Sequence, residues 1–348
     1  MWHSRAVRFV VIGAGAIGGA IGGRLAEHGH DVALVARGEH ATTMQRDGLV
    51  VEAPDRTITV HPPVVADVGE LRPSRGDVAV VAVKSQDAPP LLDALRRWAG
   101  DRLPIVCAQN GVDNERAALR LFSNVQGMNV MCPVTHLVPG VVRIASAPIS
   151  GVLDVGRAPA GVDEVSDAVA DALTRSGFDS RPDRDIMRWK RTKLLLNLGN
   201  ALEAACGIAP DGEDDTAVAD RAARLDLYLR ARAEGLACFA AAGLSIVDAD
   251  EERERRTNLT IRPVAGGSRR GGSSTWQSLT KGSRSSECDH LNGEIVLLGR
   301  LHGVPTPVNA TLQRTLAEMV ADGARPGRWT AAEIAARVSA PDPASWWP

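Results

Sequence analysis

Three groups of residues have types and spacings that could do chemistry. Gly13-Ala14-Gly15-Ala16-Ile17-Gly18 follows the apolar run Phe9-Val10-Val11-Ile12 and leads into an amphipathic stretch from Ile21 to His28. A Gly-x-Gly-x-x-Gly turn between a buried strand and a helix is a cradle for a pyrophosphate. Gly13 allows the tight turn, Gly15 has no side chain to hold off a phosphate, and Gly18 lets the helix pack closely on the sheet. The first-turn N–H groups around Ala16 and Ile17 then face the phosphates from the positive end of the helix. Arg37 follows the next apolar run, Val32 to Val35. An acid at this strand end would accept from the ribose 2′-hydroxyl of NAD, whereas a guanidinium fork suits the 2′-phosphate of NADP, so Arg37 favours NADP over NAD, with an ordinary solvated arginine as the alternative reading. Lys84 and Asn110 close two later strand-like runs, where ligands of open parallel sheets sit. The third group is Lys193, Asn197 and Asn200. In one continuous helix Asn197 would lie about 40° and Asn200 about −20° from Lys193 around the axis. An ammonium and two amides in line among leucines are hard to explain by packing, although a solvent-facing stripe is the alternative reading.

The elements that must position these groups change character along the chain. The first half alternates apolar runs with helical stretches, the pattern of a doubly wound α/β domain. Strands are expected at 9–12, 32–35, 77–84, 105–111 and 151–156, with 125–134 and 141–144 continuing the same sheet and 49–52 with 57–60 forming a hairpin insertion. From Val162 the pattern is helical, with helices expected at 163–176, 187–204, 220–242, 289–301 and 308–321 and a further start near Glu251. Gly199 inside 187–204 costs roughly 1 kcal/mol relative to Ala and makes room for another backbone. Residues 261–286 hold five Lys or Arg, no acid and many Gly and Ser, which fits either a mobile loop or an anion-facing lid. The expected organisation is a Rossmann-like NADP-binding domain over 1–180, an all-α substrate domain over 181–325 with the active site in the cleft between them, and a peripheral tail over 326–348.

Bulk properties exclude several function classes. At 348 residues with a formal charge of −2 and only 3% aromatics, the chain has neither the basic footprint nor the stacking platforms of a nucleic-acid binder. No apolar run approaches the roughly 18 residues of a membrane span, and the opening residues are too short and polar for a signal peptide. Five scattered cysteines without C-x-x-C spacing argue for reduced thiols in a cytoplasmic protein and against a metal site. The expected partner is a small molecule, with a homodimer as the candidate assembly.

Taken together, these residues resemble the 2-dehydropantoate 2-reductase (ketopantoate reductase) family. The matching features are the glycine turn from Gly13 to Gly19, Arg37, Val83-Lys84, Asn110-Gly111 and Lys193-x-x-x-Asn197. Ser273-Ser274-Thr275-Trp276-Gln277, Glu287-Cys288-Asp289-x-Leu291-Asn292-Gly293 and His302 to Pro307 complete the match in the right order. The resemblance implies NADPH-dependent reduction of a 2-oxo acid, with ketopantoate the leading substrate, in pantothenate biosynthesis. It makes Lys193 the general acid for the developing alkoxide, a role suited to a lysine partly desolvated among leucines. It has Asn110 hydrogen-bond the substrate or orient Lys193, assigns substrate to Asn197, Asn200, Ser274 and Glu287, and places Lys84 near the nicotinamide and substrate. Asn200 lies seven residues after the lysine where the family pattern has eight, and one extra residue stands near Ser283. A related 2-oxo acid is therefore the alternative substrate, and a non-catalytic NADP-binding sensor the alternative class.

Overall fold

The computed structural model describes residues 7–262, 264 and 272–339. The described residues of Met1–Arg191 and Ile246–Arg270 form one compact unit, and those of Thr192–Ser245 and Gly271–Pro348 form a second. The units part inside a helix rather than near residue 180, because the early residues of that helix are buried in the first unit. The expectation for 261–286 falls partly on 263 and 265–271, outside the described residues, as does the tail from 340 onward.

In the first unit the early apolar runs become short buried strands, and helices return the chain so that the strands lie parallel. The elements are β1 (Arg8–Ile12), α1 (Ala16–Glu27), β2 (Asp31–Val35), α2 (Gly38–Asp47), β3 (Leu49–Glu52), β4 (Thr57–Val60), β5 (Val64–Val65), β6 (Asp77–Val81), α3 (Ala88–Ala99), β7 (Ile105–Cys107) and α4 (Asp113–Leu119). They continue with β8 (Val125–Met131), β9 (Val134–Val138), β10 (Val141–Ile144), β11 (Val152–Arg157), α5 (Glu164–Arg175) and the first part of α6 (Ile186–Asn197). The main sheet has the order β11-β8-β7-β6-β1-β2-β5, parallel except for β11 against β8. A second sheet, β4-β3-β10-β9, gathers the expected hairpin together with β9 and β10. The run 125–134 is thus two strands in two sheets and not one. Pro133, which has no N–H to give a ladder, stands at the break.

Two pairs of glycines let α1 lie between the sheets. A Cβ on Gly22 would come 2.5 Å from Leu34 Cδ2 in β2, and a Cβ on Gly18 would run into Gly13 O. One residue further round, a Cβ on Gly19 would lie 2.6 Å from Val142 Cγ2 in β10, and one on Gly23 2.5 Å from Val51 Cγ2 in β3. Residues four apart share a helix face, so 18 and 22 serve the main sheet while 19 and 23 serve the second.

The return segment is pinned by an ion-paired arginine. Arg255, on α9 (Ala249–Arg255), grips the fully buried Asp154 of β11 through Nε at 2.8 Å and Nη2 at 2.6 Å, and reaches Asp179 Oδ2 at 2.8 Å through Nη1. Burial pushes the Asp154 carboxyl up, while the hydrogen bond from Arg255 holds Asp179 below the usual carboxylate range.

The second unit is helical. It contains the rest of α6, α7 (Gly199–Cys206), α8 (Asp215–Ala241), α10 (Ser274–Thr280), α11 (Asn292–His302), α12 (Pro307–Ala321) and α13 (Ala331–Ser339). The long helix expected at 187–204 is interrupted at Leu198, which separates α6 from α7. Part of the expected peripheral tail is ordered packing: Ala331 and Ile334 of α13 are fully buried, and α13 packs on α8 and α12.

Gly22→Ala should lower stability by about 1–3 kcal/mol, the cost of forcing volume into a close-packed contact. Urea unfolding followed by far-UV circular dichroism measures it. Gly29→Ala, where nothing lies within 4 Å, provides the comparison for a glycine that is constrained by backbone angle and not by space.

Candidate active site

The glycine turn is tight at two positions and open at the third. Gly13 has φ +92, a region other residues rarely adopt, and a Cβ there would lie 2.7 Å from Val83 Cγ1. Nothing lies within 4 Å of a Cβ placed on Gly15. Gly15 is also the N-cap of α1 and brings no side-chain capping bond, so the N–H groups of Ala16 and Ile17 in the first turn are left to a ligand. Val35 O receives Gly13 N at 2.9 Å and Ala14 N at 3.2 Å, which locks the turn to β2. His40 locks it from the other side. Gly140 N donates to His40 Nδ1 at 2.8 Å, so Nε2 carries the proton and donates to Ala14 O at 2.7 Å. These residues fit a bound dinucleotide. Arg37 stands exposed just past β2 as the N-cap of α2 and makes no ion pair among the described residues.

Lys84 and Asn110 are half-buried, one just beyond β6 and the other just beyond β7. The Asn110 carbonyl accepts from Asn114 Nδ2 at 3.3 Å, while its side-chain amide has no hydrogen bond among the described residues. Beneath this loop lies a pair that the residue pattern did not flag. Lys190, 3% exposed, sits with its Nζ 2.7 Å from Oε1 of Glu115, which is 1% exposed. The same ammonium donates to Gln109 O at 2.8 Å, Met128 O at 3.3 Å and Cys107 O at 3.4 Å. Lys190 thereby ties the end of β7, the loop after it and the middle of β8 to α6. Burial pushes the Glu115 carboxyl up, and Lys190 opposes that shift. The signal in the sequence was spacing, since Lys190 lies three residues before Lys193 on the same helix.

In the second unit Lys193 is half-buried on α6 and Asn197 follows one turn later. Asn197 is 6% exposed, and its Nδ2 has no hydrogen-bond partner among the described residues. Asn200 lies beyond Leu198, on α7, across a one-residue interruption at which the backbone keeps helical angles. Its carbonyl accepts from Ser273 Oγ at 3.4 Å, and Ser273 N donates to Glu203 Oε2 at 2.6 Å, which joins the start of α10 to α7. Ser273, and not Ser274, is the N-cap of α10; Ser274 is exposed in its first turn. The structure therefore brings Asn200 and the Ser273-Ser274 pair together. Glu287, half-buried, opens the 3₁₀ turn Glu287–His290, which packs on α11 and α12. Among the described residues no His, Cys, Asp and Glu groups gather as a metal site, and no helix is long and apolar enough to cross a membrane.

A doubly wound sheet whose glycine turn is kept open for a pyrophosphate defines the class, that of the NAD(P)-dependent oxidoreductases. The family model described as "Ketopantoate reductase PanE/ApbA" matches residues 9–159, and its C-terminal counterpart matches 185–320. A 2-dehydropantoate 2-reductase of Halobacterium salinarum is 32% identical over 92% of this chain and all of its own length. A PanE/ApbA family ketopantoate reductase from Ralstonia eutropha superposes with a TM-score of 0.72 at 27% identity, covering 90% of this chain and 98% of that one. A D-mandelate dehydrogenase, solved with NADH and anilino(oxo)acetate, shares the fold with a TM-score of 0.73 at 20% identity, over 90% of this chain and 99% of its own. The chain belongs to the ketopantoate reductase family.

Lys190→Met should destabilise the protein by about 3–5 kcal/mol, because it strands a buried carboxylate. Replacing both partners, Lys190→Met with Glu115→Leu, should recover more than half of that loss in urea unfolding.

Proposed function

We propose that the protein reduces 2-dehydropantoate to pantoate with NADPH, the step that serves pantothenate biosynthesis. The observation that carries this reading is Asn197, an amide donor buried without a partner among the described residues, one turn from a lysine. Leaving such a donor unmade costs about 1–3 kcal/mol, a cost that a substrate oxygen accepting from it removes. Bound NADPH supplies the hydride to C2 of the 2-oxo acid. Gly13, Gly15, Gly18 and the N–H groups of Ala16 and Ile17 hold its pyrophosphate, and Arg37 takes the 2′-phosphate with a guanidinium that no acid occupies among the described residues. Lys84 and the Asn110 amide serve the nicotinamide end. Lys193 gives its proton to the C2 oxygen as negative charge develops there, so that no free alkoxide forms. Asn197 and Asn200 hold the substrate's hydroxyl and carboxylate, Ser274 the carboxylate, and Glu287 the far hydroxyl. A different 2-oxo acid is the second reading, favoured by Asn200 lying seven residues after Lys193 where the family pattern has eight.

Oxidation of NADPH by the purified protein with 2-dehydropantoate, run beside NADH and a panel of 2-oxo acids, tests the proposal. Saturable turnover with 2-dehydropantoate and NADPH is expected. Tight NADPH binding with turnover only of another acid would transfer the reading to that acid. Lys193→Ala should lower kcat by about 10²–10⁴-fold, the usual worth of a positioned proton donor. Near-normal turnover with an unchanged pH profile would remove Lys193 from its role. Arg37→Ala should raise the KM for NADPH at least tenfold and leave that for NADH within twofold.

A further inference from the structure

The interruption between α6 and α7 falls between the two amides assigned to substrate, and a side chain from elsewhere in the second unit holds it. Leu198 keeps helical angles (φ −60, ψ −28), and its N–H still bonds Leu194 O at 3.2 Å. Its carbonyl, however, accepts from Asn292 Nδ2 at 3.2 Å. The same Nδ2 donates its other hydrogen to Asn309 Oδ1 at 3.0 Å, and both asparagines are fully buried. Asn309 Nδ2 in turn gives its two hydrogens to Ala231 O at 2.9 Å and Glu234 Oε2 at 2.7 Å. Glu234 also receives Val308 N at 2.8 Å and Asn309 N at 3.0 Å, so the carboxylate anchors the first turn of α12. Every amide hydrogen in this chain has one destination. Flipping Asn292 would point its oxygen at two acceptors, so the orientation is fixed by the network.

The other end of the same amide reaches the second substrate element. Cys288 Sγ lies 3.5 Å from Asn292 Oδ1 as a thiol donor, and Cys288 directly follows Glu287. One buried side chain thus touches the junction that carries Asn197 and Asn200 and the turn that carries Glu287. The junction has little freedom to adjust on its own side, because a Cβ on Gly199 would lie 3.2 Å from the Tyr228 ring.

We propose that Asn292, braced by Asn309 and Glu234, is a positioning residue that sets the spacing between the Asn197–Asn200 amides and the Glu287 carboxylate, and so the length of 2-oxo acid the site accepts. The inference rests on the assignment of those three residues to substrate. Asn292→Asp keeps the shape and removes both donors, leaving carboxylate oxygens against Leu198 O and Asn309 Oδ1.

The test measures steady-state KM and kcat for 2-dehydropantoate, the ranking of a panel of 2-oxo acids of different chain length, and the NADPH dissociation constant from the fluorescence of the bound dihydronicotinamide. Asn292→Asp is expected to raise the KM for 2-dehydropantoate at least tenfold and to flatten the ranking among chain lengths, while the NADPH dissociation constant stays within twofold. A folded Asn292→Asp protein with KM within twofold and an unchanged ranking overturns the proposal, even if its melting temperature falls. If Asn292→Asp does not fold, Asn309→Ser, one bond further from the junction, is judged by the same two readouts. Asn197→Ala is run beside them. An unchanged KM there removes the substrate assignment and the proposal with it, whereas a raised KM there with an unchanged Asn292→Asp removes the positioning role alone.

Discussion

A charged pair taken wholly out of water is the constraint on which the first unit depends. Lys190 and Glu115 together have almost no exposed surface, and charges so placed hold only when paired and further hydrogen-bonded. The ammonium meets that condition with one carboxylate oxygen and three backbone carbonyls, of the last residue of β7, the loop after it and the middle of β8. The arrangement joins the end of β7 and the Gln109-Asn110 loop to the early part of α6. A hydrophobic residue at 190 could fill the space, but it would leave Gln109 O and its neighbours without a common donor.

Legibility in the sequence followed the range of the forces involved. The glycine turn, the strand ends at Arg37, Lys84 and Asn110, and the alternation of strands and helices are set by local backbone rules and by burial of continuous apolar runs, which a sequence displays directly. The second sheet was not legible, because β9 and β10 read as strand wherever they pair and only Pro133 marks the change of partner. The interruption at Leu198 was invisible for a different reason. Leucine is a strong helix former, and what competes for its carbonyl is an amide ninety-four residues away. Lys190 was overlooked because lysine in a helix ordinarily points to water, and its burial depends on a glutamate seventy-five residues earlier in the chain. Ser273 and Ser274 were separable only once the helix start was known, since a cap is defined by backbone angles and not by residue type.

The two units keep their polar groups buried by different means. In the first, buried charge is neutralised by charge, as in Lys190 with Glu115 and Arg255 with Asp154. In the second, the buried network is largely made of amides, with Glu234 at its far end receiving backbone and side-chain N–H groups. Amides have a fixed direction of donation and no dependence on ionisation, so they hold geometry over a wide range of pH. Three buried polar atoms of the second unit have no hydrogen-bond partner among the described residues, Asn197 Nδ2, Thr315 Oγ1 and Trp329 Nε1, and of these Asn197 is the one a helical turn from Lys193.

The clamp of Arg255 on Asp154 also bears on how such a gene can change. The chain leaves the first unit after Arg191, re-enters it at Ile246, and is again in the second unit where the described residues resume at Gly272. A recombination event with one crossover near residue 191 would join the sheet of one parent to the return segment of another. Unless both parents carried the same ion pair, the innermost carboxylate of β11 would lose its counter-charge. Exchange of the helical unit therefore needs three coordinated crossovers, one at each passage of the chain between the units. Lineages of this protein should consequently diverge by point substitution, with 154 and 255 changing together or not at all.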